Sequence, residues 1–175
     1  KTPFSGGSGA LPQYPDTANV VLVLGVSSLL ATLAIGLFFV QVRGPGIIPI
    51  GLLGLALVIT YTPWINKHPL LCLVAPGAGF GLAMVAGTQY VMEGMYRPLS
   101  WIVALVPFFL VNNLLLLNQY PDIEADRKAG RNHFPIAYGV RPSNLAYGFS
   151  LLMAALIVLG GVAAGWLPAL SLAAL

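Results

Sequence analysis

The sequence predicts an all-α fold, a polytopic bundle of transmembrane helices. Of its 175 residues, 58% are hydrophobic and only 7% are charged, and the mean hydropathy is +0.86. Soluble domains carry about 25% charged residues, so these few charges would not cover the surface of a soluble protein. The apolar residues also form runs close to the roughly 20 residues that a helix needs to cross a bilayer. Helices rather than open sheets are expected, because a helix satisfies its own backbone in lipid.

The same composition excludes several other classes of protein. Disordered chains have low hydrophobicity, and a single cysteine, Cys72, cannot form a disulfide framework. The sequence pI of about 9.2 is basic, but a net charge of +3 gives too weak a field for nucleic-acid binding. We therefore expect an integral membrane protein whose surroundings are the lipid bilayer, with no nucleic-acid partner.

Five apolar runs are long enough to be complete spans, and they cover residues 18–42, 46–62, 69–92, 98–119 and 143–165. A sixth run, residues 166–175, is too short to cross the bilayer and is expected to be a partial helix. We interpret residues 1–175 as one membrane domain. There is no initiating Met and no signal peptide pattern, which favours a fragment of a longer chain. Cys72 and the glycines Gly77, Gly79 and Gly81 lie inside a run, where small residues allow close helix packing.

The basic residues predict the orientation of the chain. If each run spans once, six of them lie on one side of the membrane and two on the other, which makes the first side cytoplasmic. The six are Lys1, Lys67, Arg127, Lys128, Arg131 and Arg141, and the two are Arg43 and Arg97. On the less basic side, Glu93 and Arg97 are spaced to form an ion pair. Asp16 is expected to be an entry residue or helix cap.

The charged loop, residues 120–142, is the most informative polar feature. Six charged residues fall within its ten residues 122–131. We expect Pro121 to begin a short helix that places Asp122 and Asp126 on one face. Two carboxylates with phosphate oxygens are ligands that suit Mg²⁺. Arg127 and Arg131, also four apart, are candidates to bind phosphate, and Asn118, four residues before Asp122, adds an amide oxygen.

A second interpretation of this loop needs no ligand. Glu124 and Lys128 have the favourable spacing of a helical ion pair, acidic residues suit a helix start, and the bases satisfy the positive-inside bias. On spacing alone, this solvated loop is the better supported of the two. A D-x-x-x-D pattern in isolation is a weak signal for a metal site.

The longer sequence around the two aspartates carries a family resemblance. Asn112-Asn113 is followed by Asn118-Gln-Tyr-Pro-Asp122-Ile-Glu-Ala-Asp126-Arg-Lys-Ala-Gly130-Arg131, and then by His133-Phe-Pro-Ile-Ala-Tyr-Gly139. This stretch resembles the second aspartate-rich motif of UbiA-type intramembrane prenyltransferases. It is most similar to the N-x-x-x-D-x-x-x-D-[RK]-x-x-G-[KR] pattern of the 1,4-dihydroxy-2-naphthoate polyprenyltransferase branch. Residues 2–9 resemble the loop after the family's first motif, and residues 79–90 resemble its fifth helix.

The resemblance implies a fold of nine helices around a central cavity, in which two aspartate motifs hold Mg²⁺ bound to an isoprenyl diphosphate. The chain would run from just before the third helix into the eighth, without the first two helices, the first motif and the C-terminal end. Asp122 and Asp126 would be the catalytic, metal-binding residues. The implied diphosphate contacts are Asn118, Arg127, Lys128 and Arg131, together with Tyr61 and Lys67 in place of the family's Tyr and basic residue after helix four. His133 and Cys72 are expected to be a loop polar residue and a packing residue.

The implied activity is Mg²⁺-dependent transfer of an isoprenyl group from a polyprenyl diphosphate to an aromatic acceptor. A menaquinone-type quinone pathway in a bacterial or archaeal cell membrane fits best, with the aspartate loop in the cytoplasm. The acceptors 4-hydroxybenzoate, chlorophyllide and haem are alternatives within the superfamily. A non-catalytic subunit or scaffold of a membrane complex is a further alternative, since the first motif is missing here. A transporter is disfavoured because no span carries a buried charge.

Overall fold

The computed structural model describes residues 10–175, and this part of the chain is helical without any strand. The predicted resemblance of residues 2–9 therefore lies outside the described residues, as does Lys1. The α-helices are α1 (Ala10–Gln13), α2 (Ala18–Arg43), α3 (Ile48–Tyr61), α4 (Pro69–Pro76), α5 (Met84–Glu93), α6 (Pro98–Gln119), α7 (Ile123–Lys128), α8 (Phe134–Tyr138) and α9 (Val140–Ala163). Short 3-10 helices cover Pro15–Thr17, Pro45–Ile47, Ile65–Lys67 and Ala169–Ala174.

Within residues 10–175, four helical stretches are long and apolar enough to cross a membrane, which confirms the polytopic helical bundle. They are Pro15–Arg43, Pro69–Glu93, Pro98–Gln119 and Val140–Ala163. Five complete spans are expected; the second, residues 46–62, corresponds to the apolar helical stretch Pro45–Tyr61, which is too short to count as a complete span. The expected partial sixth helix is a 3-10 helix instead, since left-handed Gly165 (φ +72°) and then Pro168 interrupt the chain after α9.

The expected single helix at residues 69–92 contains a π-helical segment, Gly77–Ala83, between α4 and α5. Pro76 lies at the end of α4 and has no backbone N–H to donate, so the regular ladder is interrupted there. The backbone N–H of Gly77 donates to Oδ1 of Asn112 at 2.6 Å. The polar side chain from α6 therefore supplies a partner for the irregular backbone, which is a requirement inside a membrane.

Helix α6 is the centre of the bundle and packs against α9, the π-helical segment, α4 and α5. A Cβ at Gly77 would collide with the carbonyl oxygen of Phe108, and a Cβ at Gly81 would lie 2.5 Å from Phe108 Cα. These two glycines confirm the predicted role of small residues in close packing. Gly79 does not share that role, because its nearest neighbour would be Leu57 Cδ1 at an ordinary 3.6 Å.

Hydrogen bonds between loops define one end of the bundle, here called the aspartate end. The backbone N–H of Asn132, after α7, donates to the carbonyl oxygen of Asn66, after α3, at 2.9 Å. The Tyr120 hydroxyl, after α6, donates to Oδ1 of Asn144 in the first turns of α9 at 2.7 Å. The loop that carries Lys67 therefore lies at the same end as residues 120–139.

The opposite end joins the remaining loops. Tyr90 donates to the carbonyl oxygen of Arg43 at 3.1 Å, and Tyr96 donates to that of Gly46 at 2.7 Å. The predicted ion pair between Glu93 and Arg97 is present here. Within residues 10–175, the basic residues thus divide between the two ends as the alternation of loops predicts.

Candidate functional site

The connection between α6 and α7 determines where the first aspartate lies. Helix α6 ends at Gln119, residues 120–122 form a turn, and Asp122 is the N-cap residue of α7. The prediction that Pro121 begins the helix was wrong by two residues, because the backbone turns back so that Asp122 N–H donates to the Gln119 carbonyl at 3.3 Å. The N–H of Asp126 still donates to the Asp122 carbonyl at 2.8 Å. The two aspartates therefore remain one helical turn apart.

The Asp126 carboxylate is enclosed by two side chains. Its side chain is only 15% exposed, and each carboxylate oxygen has a partner. Oδ1 accepts from Nη1 of Arg131 at 3.1 Å, and Oδ2 lies 3.1 Å from Nε2 of His133. Arg131 is in position because Gly130 adopts a left-handed conformation (φ +77°) that ends α7 and reverses the chain.

His133 is the residue that sequence reasoning underestimated. The His133 side chain is 2% exposed, and His133 is the N-cap residue of α8. Burial lowers the pKa of His133, while the neighbouring Asp126 carboxylate acts in the opposite direction. The Asp122 carboxylate acts on the pKa of His133 in the same direction as Asp126. No periodic pattern could have identified His133, because its contact with Asp126 crosses the turn at Gly130.

The outer face of α7 carries the other charges of the loop. Glu124 accepts from Nη1 of Arg127 at 2.8 Å, and their side chains are 76% and 53% exposed. The predicted pair of Glu124 with Lys128 is therefore replaced by a pair three residues apart. Lys128 is exposed on the last turn of α7. Arg127 and Arg131, although four residues apart, do not lie on the same helix, because α7 ends at Lys128 and Arg131 folds back onto Asp126.

The last turn of α6 presents Gln119, rather than Asn118, to the interior. Asn118 is exposed, whereas Gln119 is buried and donates through Nε2 to Sγ of Cys72 at 3.5 Å. Asn118 and Asp122 do not form the expected helical pair, because α6 ends between them. Asn118 nevertheless lies at the exposed end of α6, next to the turn that carries Asp122.

Tyr61 and Lys67 both lie at the aspartate end, as predicted. The Tyr61 hydroxyl lies 3.7 Å from Cys72 Sγ, and it is close enough to Asp126 and Arg131 for their charges to act on it. Lys67 is exposed at the end of the 3-10 helix whose Asn66 holds the loop after α7. Cys72 is buried at 2% exposure, in agreement with its expected packing role.

The donor set fits a hard divalent cation that shares its coordination with phosphate. Within residues 10–175, no three Asp, Glu, His or Cys side chains come together as a self-sufficient metal site. The two carboxylates at one helical turn match the way in which Mg²⁺ takes one or two carboxylates together with substrate phosphates and water. Asp122 and Asp126 are thus the candidate oxygen donors for such a cation, and the exposed basic residues at the same end are candidate phosphate contacts.

Comparison with known families identifies the family of the chain. Residues 15–175 match the sequence model of the UbiA prenyltransferase family, and this match includes both aspartates and every long apolar helix. No curated protein and no solved structure gave a significant match. The family match covers nearly the whole described chain and agrees with its polytopic helical architecture. The chain is therefore an integral membrane protein that belongs to the UbiA prenyltransferase family.

Proposed function

We propose that this protein transfers an isoprenyl group from a polyprenyl diphosphate to an aromatic acceptor with the help of Mg²⁺. Within the family we place it in the 1,4-dihydroxy-2-naphthoate polyprenyltransferase branch, and its pathway in menaquinone-type quinone biosynthesis. The observation that carries the proposal is the enclosed Asp126, one helical turn from Asp122, in a loop that stands at one end of an apolar bundle. Exposed Arg127, Lys128 and Lys67 supply cations around it.

The proposed roles divide between the two sides of the loop. Asp122 and Asp126 would hold the metal, which would supply charge neutralisation to the diphosphate leaving group. The basic and polar residues around the carboxylates would bind the remaining phosphate oxygens, with arginine able to form paired hydrogen bonds. These proposed diphosphate contacts are Asn118, Arg127, Lys128, Arg131, Tyr61 and Lys67.

The reaction follows from this division of roles. The allylic C–O bond breaks, and its electron pair leaves with the diphosphate. An electron-rich carbon of the aromatic ring then attacks the allylic cation, and the ring regains its aromaticity by losing a proton or, where the attacked carbon carries the carboxylate of the naphthoate, carbon dioxide. The isoprenyl chain lies among apolar helices, which keep water from the cation, while the charged groups at the aspartate end stabilise the developing negative charge.

An assay of the full-length protein tests the proposal. Purified protein in lipid nanodiscs is incubated with labelled polyprenyl diphosphate and a panel of acceptors that includes 1,4-dihydroxy-2-naphthoate and 4-hydroxybenzoate. We expect prenylated naphthoate to form with Mg²⁺ and to disappear with EDTA. Product from another acceptor would move the protein to a different branch. A lack of both product and Mg²⁺-dependent diphosphate binding would favour a non-catalytic membrane subunit.

We further propose that the aspartate end faces the cytoplasm of a bacterial or archaeal cell. Ala129→Cys places a thiol in the exposed part of the aspartate loop, and Met95→Cys places one at the opposite end. Native Cys72 is buried, so we expect it not to react. A membrane-impermeant maleimide should label Met95→Cys in spheroplasts, and it should label Ala129→Cys only in inside-out vesicles. The reverse pattern would contradict the orientation, and labelling of both from one side would contradict the topology.

A further inference from the structure

We propose that His133 is a positioning residue that fixes the carboxylate of Asp126 for metal binding. This inference rests on the proposed function. Nε2 of His133 lies 3.1 Å from Oδ2 of Asp126, and the His133 side chain is 2% exposed. A carboxylate only accepts hydrogen bonds, so the imidazole must donate through Nε2. Such hydrogen bonds from outside the coordination sphere orient a ligating carboxylate.

The imidazole is itself held in place by its backbone. The carbonyl oxygen of His133 accepts hydrogen bonds from the N–H groups of Ile136 at 3.0 Å and Ala137 at 3.1 Å, in the first turn of α8. The preceding residue, Asn132, is bound to the backbone of Asn66 at 2.9 Å. The backbone of His133 is therefore anchored on both sides along the chain, so its Cα cannot move away from Asp126 without disrupting α8 or the contact between the two loops.

The buried ring has one nitrogen committed to Asp126 and one without a protein partner. Among the described residues, Nδ1 of His133 is buried with no hydrogen-bond partner. An imidazole with its proton on Nε2 leaves only a lone pair at Nδ1, which is less costly to bury than an unpaired N–H carrying a positive charge. The arrangement thus favours the tautomer that donates to Asp126.

The two side chains that contact Asp126 differ in exposure. Arg131, which contacts Oδ1, has a side chain that is 49% exposed at the end of a flexible stem. Its exposure would leave it room to turn toward a phosphate oxygen, whereas the buried His133 has no such room. The geometry therefore assigns a lasting orienting role to His133 and an exchangeable role to Arg131.

Three variants of the full-length protein test this role. His133→Leu removes the donor and keeps much of the volume, and His133→Gln restores an amide N–H near the position of Nε2. His68→Leu is the matched control, because the chain has two histidines and His68 is exposed and bonded to Trp64 rather than to the aspartate loop. If His133→Leu does not fold, His133→Asn replaces it, since the shorter amide cannot reach the position of Nε2.

Two readouts are needed, and one does not depend on activity. The first is the Mg²⁺ concentration that gives half-maximal prenyl transfer. The second is the Mg²⁺ concentration that gives half of the increase in unfolding temperature in the presence of inorganic diphosphate. We expect His133→Leu to raise both by about 10–100-fold, with His133→Gln and His68→Leu close to the wild type.

The outcomes separate this inference from the proposed function. Unchanged Mg²⁺ midpoints in the variant that lacks the donor would overturn the positioning role, as would a His133→Gln variant that is as impaired as His133→Leu. A wild-type protein with no Mg²⁺ response in either readout would overturn the proposed function, and the role of His133 with it.

Discussion

Asp126→Asn is expected to lower kcat/KM for prenyl transfer by about 10²–10⁴-fold in the full-length protein, because a bound metal contributes several kcal/mol to transition-state stabilisation. Asp122→Asn should have a comparable effect. The substitution keeps the size of the side chain but removes the negative charge that attracts Mg²⁺. Rates with labelled polyprenyl diphosphate at a saturating Mg²⁺ concentration measure the loss.

Glu124→Gln is the matched control for both aspartates. Glu124 lies between them on α7, but its side chain is 76% exposed and pairs with Arg127 on the outer face. A surface ion pair of this kind contributes only about 0–1 kcal/mol, so we expect near wild-type activity. Equal losses in Glu124→Gln and Asp126→Asn would indicate a general effect of loop charge and would contradict a specific metal site.

Gly81→Ala is expected to have the largest effect on stability. The added Cβ would lie 2.5 Å from both Cα and N of Phe108, which are backbone atoms of the central helix α6. Overpacking of this kind costs about 1–3 kcal/mol, occasionally more, because the helices must separate. We expect a lower unfolding temperature in detergent, and we expect binding to inorganic diphosphate to be lost at a lower temperature than in the wild type.

The control for this prediction is Gly160→Ala in α9. No atom lies within 4 Å of a Cβ built at Gly160. Alanine in a helix is favoured over glycine by about 0.5–1 kcal/mol, so this variant should be as stable as the wild type or slightly more stable. Equal destabilisation by the two substitutions would contradict the close approach of α6 to the π-helical segment.

The helical architecture was predictable because membrane helices satisfy their own backbone and are therefore visible in the sequence as apolar runs. Residues 98–119 were predicted with both helix ends correct. The π-helical segment at Gly77 was not predicted, because it depends on a contact with Asn112 from another helix. Apolar length alone also does not indicate where Gly165 and Pro168 end the regular α-helix.

The spacing of the two aspartates was predictable from the sequence, whereas the side chains that contact Asp126 were not. The spacing of Asp122 and Asp126 along the chain was enough to place them one turn apart. Helical spacing predicted an ion pair of Glu124 with Lys128, but Glu124 pairs with Arg127 instead. Arg131 lies beyond the end of α7, and the chain reversal at Gly130 brings it to Asp126. The contact with His133 depends on the same reversal of the chain, which periodicity does not describe.

The central claim is that Asp122 and Asp126 together bind Mg²⁺ and a diphosphate. Calorimetric titration of the full-length protein with a non-cleavable prenyl thiodiphosphate, with and without Mg²⁺, tests it most directly. We predict that the wild type binds the thiodiphosphate only when Mg²⁺ is present. In the Asp122→Asn/Asp126→Asn double variant, we predict that adding Mg²⁺ no longer promotes binding. Equal Mg²⁺-dependent binding by the double variant and the wild type would contradict the account.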